Sequence, residues 1–343
     1  MDKTLYCGVD LHSSNGMYVI TDEQDRQLFK KRLPNVLSVV LGHLEPFRTQ
    51  LRVVVVESTY NWYWLVDGLQ EHGYPVVLAN PAKIDQYDGI KEADDLTDAA
   101  FLTRLARLQI LPTGYIYPKQ ERPVRDLLRR RMLLVHHRTA LKQSLQGLGV
   151  RQSGRSLAWR AVRALSDRQR TELLGDHDCI AFVAAQQVEL IELLNERIRR
   201  FEQKVLEHSC LRPAYADLLT IPGVGVILAL TIMLETGEIG RFKRVGDYTS
   251  YCRCVRATHS SNGKVKGRHN RRNGNPYLAW AFVEAVHHAI RTCPAAKRFY
   301  DRKLAQRNGA LATKALASKW SKAAYYMIKR QESFDVTRVF GGA

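Results

Sequence analysis

The most informative stretch of this sequence is Val53-Val54-Val55-Val56-Glu57. Four consecutive β-branched apolar residues predict a strand that is buried on both faces, as in a sheet with helices packed on each side. The acid that ends the strand is costly at such a position unless its charge is compensated. The stretch therefore predicts a layered α/β core and a functional carboxylate at the end of one of its strands.

Outward from this strand, the predicted elements follow the order of a known fold. Upstream, three short apolar runs are separated by turn residues, which predicts an antiparallel meander. Downstream, helical and strand patterns alternate. The predicted elements are strands at 5–10, 17–20, 26–30, 53–57 and 75–79 and helices at 36–47, 62–72 and 95–109. This order is that of the ribonuclease H fold, which has three strands, then a helix, a strand, a helix, a strand and a helix. In that fold the first and fourth strands are neighbours.

Four carboxylates fall where this fold would bring them together. Asp10 ends the first strand and Glu57 the fourth, while Asp95 and Asp98 are three residues apart on one face of a helix. Clustered carboxylates raise each other's pKa values unless a cation holds them, and such oxygen ligands suit Mg²⁺ or Mn²⁺. The four acids therefore predict a metal site that activates a scissile phosphate. As alternatives, Asp10 caps a turn, and Asp95 and Asp98 are helix N-terminal charges favoured by the dipole.

Beyond residue 118 the pattern becomes helical. Leucines and arginines alternate at helical spacing over 121–147, and apolar residues recur every three or four positions over 183–208. Both runs predict long helices, the second either in a coiled coil or in ordinary core packing. The apolar stripe of the second run consists of Leu190, Leu194, Ile198, Phe201 and Val205. The expected parts are an α/β domain over 1–118, a helical connector over 119–210 and a mostly α-helical C-terminal domain over 211–343.

The charge of the chain points to a polyanionic partner. Of the net charge of +18, residues 241–343 supply +17, with 22 basic and 5 acidic side chains. Such a segment binds nucleic acid, because each neutralised phosphate releases condensed counterions. Just before it, Ile221-Pro222-Gly223-Val224-Gly225 precedes a helix and matches the hairpin of a helix-hairpin-helix. In such a hairpin Gly223 and Gly225 let backbone N–H groups approach a phosphate; a tight turn is the alternative.

Several motifs, taken in order along the chain, resemble those of one family. They are Gly8-Val9-Asp10-Leu11-His12, Glu57-Ser58-Thr59, Ala79-Asn80-Pro81, Asp95-Leu96-Thr97-Asp98-Ala99, Ile221-Pro222-Gly223-Val224-Gly225, Ser260-Ser261-Asn262-Gly263-Lys264 and Asn273-Gly274-Asn275. In these motifs the sequence is similar to the DEDD transposases of the insertion-sequence 110/1111 family, which are related to the Piv/MooV DNA invertases. The resemblance implies a RuvC-like domain, a helical coiled-coil connector and a C-terminal transposase domain.

The resemblance also implies a mechanism and partners. Family members are serine recombinases in which a C-terminal serine attacks DNA with help from the carboxylates and metal, giving a covalent phosphoserine. They act on donor and target DNA as homo-oligomers, dimers or tetramers, guided by a structured non-coding bridge RNA. On this chain the implied catalytic residues are Asp10, Glu57, Asp95, Asp98 and Ser261. Ser260 stays open as the nucleophile, because His259 and Ser260 precede Ser261 where the family commonly has an acid. Asp94 leaves the register of the acid pair open.

The serine lies in a loop rich in basic residues. A hydroxyl is a poor nucleophile until a base or metal activates it, and guanidinium and ammonium groups clamp phosphate. The basic residues of the loop are Lys264, Lys266, Arg268, Arg271 and Arg272. They are therefore predicted to bind nucleic acid, with an incidental serine in a basic loop as the alternative.

Two other functions would fit parts of this pattern. A hydrolytic RuvC-like nuclease, such as a junction resolvase, would use the acids with water as the nucleophile. A non-catalytic nucleic-acid-binding protein would use neither acids nor serine. The four ordered acids favour an enzyme, whereas the basic segment suits all three functions.

The cysteines and the hydropathy bear on where the chain works. Six scattered cysteines, and no apolar stretch near the roughly 20 residues of a bilayer span, predict a reduced, cytoplasmic protein with no membrane partner. Cys252, Cys254 and His259 do not predict zinc, because no second Cys/His pair has usable spacing. A strand-like run over 249–256 accounts for the alternating cysteines.

Overall fold

The computed structural model describes residues 3–84, 95–154, 178–209, 211–255, 259–261, 264–267 and 273–341. The chain divides into two compact units, residues 1–119 and 120–343. The end of the α/β domain that the sequence predicts at residue 118 stays a prediction. The further division of the second unit at residue 210 stays a prediction. No helix in the described ranges is both long enough and apolar enough to span a bilayer.

The first unit is built on one mixed sheet of five strands. The strands are β1 (Leu5–Leu11), β2 (Asn15–Thr21), β3 (Gln27–Pro34), β4 (Leu51–Glu57) and β5 (Val76–Ala79), and the helices are α1 (Leu37–Leu44), α2 (Tyr63–Glu71) and α3 (Asp95–Arg107). The spatial order is β3-β2-β1-β4-β5, with β1, β2 and β3 antiparallel and β1, β4 and β5 parallel. The predicted meander, the element order and the β1–β4 neighbourhood are therefore confirmed.

The valine run lies between two apolar layers, as its composition predicts. Val54 and Val56 are buried in a cluster with Leu65 and other residues of α2, on one face of the sheet. Val55, which points the opposite way because side chains alternate along a strand, packs with Leu102 of α3 on the other face. This double burial fixes the register of β4 and hence the position of Glu57 at its end.

The second unit begins with two long helices, α4 (Arg122–Ser153) and α5 (Asp178–His208). They run antiparallel, because Arg131 hydrogen-bonds Glu202 and Arg138 hydrogen-bonds Asn195. The buried residues of α5 are Ala184, Ile191, Ile198 and Val205. They recur every seven residues, which is the spacing of a coiled-coil seam, although the coiled coil itself stays a prediction. The predicted stripe was wrong at Leu190, which is 47% exposed beside the buried Ile191.

The remainder of the second unit is mostly helical, as predicted. Its elements are α6 (Ala214–Leu219), α7 (Val226–Thr236), α8 (Val245–Tyr251), β6 (His259–Ser261), β7 (Lys264–Gly267), α9 (Pro276–Thr292), α10 (Pro294–Gln306), α11 (Gly309–Arg330) and α12 (Val336–Phe340). Helices α7, α9 and α11 contribute most of one core that surrounds the fully buried Trp320. Two helices joined by the predicted hairpin sequence are present, while the helix-hairpin-helix assignment stays a prediction.

The strand predicted over 249–256 is wrong at its start. Residues 245–251 form helix α8, because Asp247 accepts the backbone N–H of Arg244 at 3.1 Å and so begins the helix. Cys252 and Cys254 follow it as buried residues of the core, and burial raises the pKa of the Cys254 thiol to about 12.

Candidate metal centre

Two of the predicted acids stand at the ends of neighbouring parallel strands. Val9 of β1 pairs with Val56 of β4, so Asp10 and Glu57 come one step later at the same edge of the sheet. Asp10 is only 6% exposed and Glu57 is partly buried. Burial, followed by the hydrogen bond and repulsion from Asp10 and the repulsion from Asp98, raises the pKa of Glu57 to about 7. Repulsion from the neighbouring Asp10 and burial thus both disfavour the charged form of Glu57.

A glycine lets the third and fourth acids approach this edge. An added Cβ at Gly8 of β1 would lie 2.1 Å from the carbonyl oxygen of Ala99 in α3. Only glycine therefore allows α3 to lie this close to β1. Asp95 and Asp98 occupy the first turn of that helix, which brings their charges toward the strand ends. The repulsion that Asp98 exerts on Glu57 is a sign of this proximity.

Two basic side chains complete the group around Asp95. The Nε2 atom of His12 lies 3.1 Å from Asp95 Oδ2 and 3.3 Å from Asp10 Oδ2. The guanidinium of Arg32, on β3, donates a hydrogen bond to the same Asp95 oxygen. This bond from Arg32, and then the nearby His12, hold the pKa of Asp95 below its usual value. The charged form of Asp95 is therefore favoured by its neighbours, whereas the charged form of Glu57 is disfavoured.

The backbone around His12 is fixed by four hydrogen bonds. Its N–H donates to the carbonyl oxygen of Asn15 at 2.8 Å. Its own carbonyl oxygen accepts from Asn35 Nδ2 at 3.0 Å and from Asn61 Nδ2 at 2.8 Å. Asn35 also donates to the carbonyl of Ser13 at 3.0 Å. The turn after β1 is thus held from three directions, so the imidazole has a defined position.

The residues at this edge suit a divalent cation. Asp10, His12 and Asp95 each offer one ligand atom, and these atoms all lie within 4.8 Å of one another. The Nε2 atom of His12 is buried and makes no hydrogen bond of good geometry to any residue of the described ranges. A cation between the three side chains would satisfy that nitrogen and neutralise the carboxylates. The chemistry of the donor set therefore fits a metal ion.

All four predicted acids contribute to this one neighbourhood, and two further residues were missed. Asp10 and Asp95 lie around His12, while the charges of Asp10 and Asp98 both act on Glu57. His12 follows Asp10 by two residues, so both side chains leave β1 on the same face, and this spacing could have identified it. No sequence pattern identified Arg32, since β3 is distant in sequence from the four predicted metal-binding acids. Asp94 lies outside the described residues.

The predicted nucleophile lies on a small antiparallel ladder of the second unit. Ser261 of β6 pairs with Lys264 of β7, and Ser260 pairs with Val265. Lys266 also belongs to β7, whereas Arg268, Arg271 and Arg272 lie outside the described residues. The roles of these serines and basic residues stay predictions.

The segment that carries these residues is closed at its base. Arg253 Nε donates to the carbonyl of Asn273 at 2.9 Å, and the backbone N–H of Asn275 donates to the carbonyl of Tyr251 at 2.6 Å. Gly274 adopts φ +87, and a Cβ there would lie 2.6 Å from the Tyr251 oxygen. The chain thus leaves and re-enters the core at one place.

A buried carboxylate supports this base from below. Glu235 of α7 is 1% exposed and accepts hydrogen bonds from Arg125 at 3.1 Å, Arg129 at 2.6 Å and Asn275 Nδ2 at 2.7 Å. Burial acts against its charge, but these partners outweigh it and lower the pKa of Glu235. Asn275 in turn caps α9 by accepting from the N–H groups of Tyr277 and Leu278.

The two glycines of the predicted hairpin occupy different surroundings. A Cβ at Gly223, whose φ is +84, would lie 2.1 Å from the carbonyl oxygen of Ala285 in α9. Its lack of a side chain therefore serves close packing against that helix. Gly225 has open space where a side chain would stand and begins α7. A phosphate contact stays a prediction for both residues.

Carboxylates at the ends of the neighbouring strands β1 and β4 and in the first turn of α3 form the arrangement of ribonuclease-H-like nucleic-acid enzymes. Two family models match separate parts of the chain. The model for DEDD transposases of insertion sequence IS110, described as "Transposase", matches residues 7–148. The model described as "Transposase IS116/IS110/IS902 family" matches residues 215–301. The chain belongs to this family of transposases, as its motifs indicate.

Individual relatives carry names of the same kind. The chain is 27% identical over 113 residues to "Insertion element IS110 uncharacterized 43.6 kDa protein" of Streptomyces coelicolor, a match that covers 33% of this chain and 28% of the relative. It is 24% identical over 284 residues to "Transposase for insertion sequence element IS1111A" of Coxiella burnetii, covering 80% of this chain and 76% of that relative.

Proposed function

We propose that the protein is a metal-dependent DNA transposase that cuts and rejoins strands through a covalent phosphoserine. The observation that carries the proposal is the convergence of Asp10, His12 and Asp95, with Glu57 and Asp98 close enough to perturb it. Burying several carboxylates from two strands and a helix close together lowers stability unless a cation binds them. Such acids on a ribonuclease-H-like sheet bind the metal ions that catalyse phosphoryl transfer.

The acids would hold the metal, and Mg²⁺ or Mn²⁺ suits their oxygen atoms. Asp10 is the central ligand in this proposal, with Glu57, Asp95 and Asp98 around it. A bound divalent ion neutralises charge that builds up on a scissile phosphate. The protein's own contribution is to keep the carboxylates oriented, through the rigid strand ends and the close approach of α3 at Gly8.

The serine step conserves the energy of the phosphodiester bond. The Ser261 hydroxyl loses its proton and its oxygen bonds to phosphorus, while the bond from phosphorus to one deoxyribose oxygen breaks. That oxygen takes a proton and leaves as a free hydroxyl end. In joining, the hydroxyl of a second strand attacks the phosphoserine and the serine is released unchanged. Ser260 is the alternative nucleophile.

The nucleic acids and the assembly belong to the same proposal. The net charge of +17 over residues 241–343 supports binding of donor and target DNA. The family resemblance adds a structured guide RNA and a homo-oligomer of two or four chains. A cytoplasmic location stays a prediction from the cysteine content.

The test is to trap the covalent intermediate. The full chain, with any RNA that copurifies, is incubated with labelled DNA carrying the ends of the encoding element and with Mn²⁺, then denatured and separated by electrophoresis. We expect a labelled protein–DNA adduct from the wild type and from Ser260→Ala. We expect none from Ser261→Ala or Asp10→Asn. An adduct from Ser261→Ala but not from Ser260→Ala reassigns the nucleophile.

Two outcomes would replace the proposal with another function. Nicked DNA without any adduct, together with loss of nicking in Asp10→Asn, indicates a hydrolytic RuvC-like nuclease. DNA binding with neither adduct nor nicks indicates a non-catalytic nucleic-acid-binding protein. A discrete structured RNA in the purified protein supports guidance, whereas its absence removes guidance from the proposal.

A further inference from the structure

His12 lies among the acids in a position that the four-carboxylate scheme does not use. Its Nε2 atom is 3.3 Å from Asp10 Oδ2 and 3.1 Å from Asp95 Oδ2. We propose that His12 is itself a ligand of the metal, and that this nitrogen makes the site prefer a transition ion such as Mn²⁺ to Mg²⁺. The inference rests on the proposed metal site and adds to it a residue and an ion preference.

The distances match those between neighbouring ligands of a single ion. An octahedral ion bound at about 2.1–2.2 Å places adjacent ligand atoms about 3 Å apart. The two distances from His12 Nε2 to the carboxylate oxygens are close to this value. The Nε2 atom of an imidazole bears at most one hydrogen. Neither carboxylate oxygen lies where the Nε2 atom of His12 could form a hydrogen bond of good geometry with it. The three possible ligand atoms lie within 4.8 Å of one another, which is compatible with one ion bound by all three side chains.

Hydrogen bonds hold the backbone from which the imidazole of His12 extends. The N–H of His12 donates to Asn15, and its carbonyl oxygen accepts from Asn35 and Asn61. A ligand whose backbone is held in this way loses little conformational entropy on binding. Asn61 is itself held, since Thr59 Oγ1 donates to its side-chain oxygen at 2.9 Å.

The nature of the ligand determines the ion. Mg²⁺ prefers oxygen ligands and keeps much of its water, whereas imidazole nitrogen suits first-row transition ions. Replacing one of several oxygen ligands by His12 nitrogen therefore favours Mn²⁺ over Mg²⁺. Arg32 donates a hydrogen bond to the Asp95 oxygen nearest His12, and hydrogen bonds of this kind orient carboxylates that bind metal ions.

The experiment detects whether a histidine nitrogen binds the ion directly, and it requires neither DNA nor catalytic turnover. Mn²⁺ is added to the full metal-free chain, and electron spin-echo envelope modulation is recorded to detect ¹⁴N coupled to the manganese. Chain labelled with ¹⁵N only in histidine gives the corresponding shift in modulation frequency. This wild-type measurement does not depend on the folding of any variant. His12→Asn is compared with His72→Asn, whose histidine lies exposed at the end of α2.

We expect histidine ¹⁴N modulation in the wild type and in His72→Asn, and its loss in His12→Asn. We also expect Mn²⁺ affinity to fall about tenfold or more in His12→Asn, while Mg²⁺ affinity changes less. Removing a residue that only supports a metal ligand already lowers affinity by about this much, and His12 is proposed to be a ligand itself. Mn²⁺ bound with no histidine modulation overturns the role of His12 and leaves the acid site intact. Failure of wild-type chain to bind Mn²⁺ at all overturns this inference together with the proposed metal centre.

Discussion

The raised pKa of Glu57 makes the stability of the metal-free protein depend on pH, and Glu57→Gln should remove that dependence. The shift runs from the ordinary value of 4.5 to about 7, with burial as its largest cause. A carboxyl group whose folded pKa is raised contributes its full stability below the unfolded pKa. That contribution is lost as the pH rises through the folded pKa. The window is therefore from about pH 4.5 to about pH 7, and stability falls across it.

The magnitude follows from the shift, with a discount for solvent. A shift of this size corresponds at most to about 3.5 kcal/mol, at about 1.4 kcal/mol for each pKa unit. Glu57 is only partly buried, so screening by water reduces the effect to roughly 1–2 kcal/mol. Across the window from about pH 4.5 to about pH 7, the free energy of unfolding of the first unit in chelator should fall by that amount more in the wild type than in Glu57→Gln.

Amide hydrogen exchange of peptides covering β1 and β4 is the suitable assay, since it reports on the first unit within the full chain. Glu23→Gln, in an exposed turn, is the control and should follow the wild type. Mn²⁺ should stabilise the wild type more at pH 8 than at pH 5.5, because the ion competes with the proton on Glu57. A difference between wild type and Glu57→Gln that stays constant across this range would refute the clustering of the acids.

Three further substitutions test other parts of the structure. Glu235→Gln removes the negative charge that the buried Arg125 faces, and should lower the free energy of unfolding of the second unit by about 3–5 kcal/mol in denaturant titrations. Gly8→Ala introduces a Cβ that would lie 2.1 Å from a backbone oxygen of α3, so Mn²⁺ affinity measured by electron paramagnetic resonance should fall about tenfold or more. Lys264→Ala with Lys266→Ala should reduce the slope of log affinity for DNA against log salt by about two.

Matched controls separate these effects from general damage. Glu238→Gln alters an exposed acid close to Glu235 in sequence and should cost less than about 1 kcal/mol. Gly42→Ala adds a Cβ into open space and should leave Mn²⁺ affinity unchanged. Replacement of the exposed Lys30 and Lys31 by alanine should leave the salt slope unchanged, and an equal reduction there would remove the special role of β7.

The fold of the first unit was predictable because its signals are local. A valine run that must be buried on both faces, and turns between short apolar runs, fix strand number and order without any knowledge of long-range contacts. The neighbourhood of Asp10 and Glu57 then follows from the parallel pairing of their strands. To predict that Asp95 and Asp98 lie near this edge, one would also have to know that α3 approaches β1 closely at Gly8. A glycine in a strand can indicate such an approach but does not identify the element that approaches.

The parts that could not be predicted depend on three-dimensional context. Arg32 reaches Asp95 from β3 across the sheet, and nothing in its sequence neighbours marks it out. The series of apolar residues in α5 was assigned one position away from its buried face at Leu190, because several leucines and isoleucines fit the same helical period. Residues 249–251, the end of helix α8, were predicted as the start of a strand because β-branched and aromatic residues favour strands, whereas the local capping by Asp247 and the core around it favour a helix.

The closed base of the serine-bearing segment has a consequence for how such proteins diversify. Its two ends are hydrogen-bonded to each other beside Tyr251 and Asn275, so the residues that follow the buried Cys254 begin and end at one place on the core. Doubling the length of a loop with fixed ends costs only about 0.6 kcal/mol. The length of this segment and those of its residues that have no catalytic or DNA-binding role can therefore change at little cost in stability, and a grafted segment from another transposase should leave the helices below it folded.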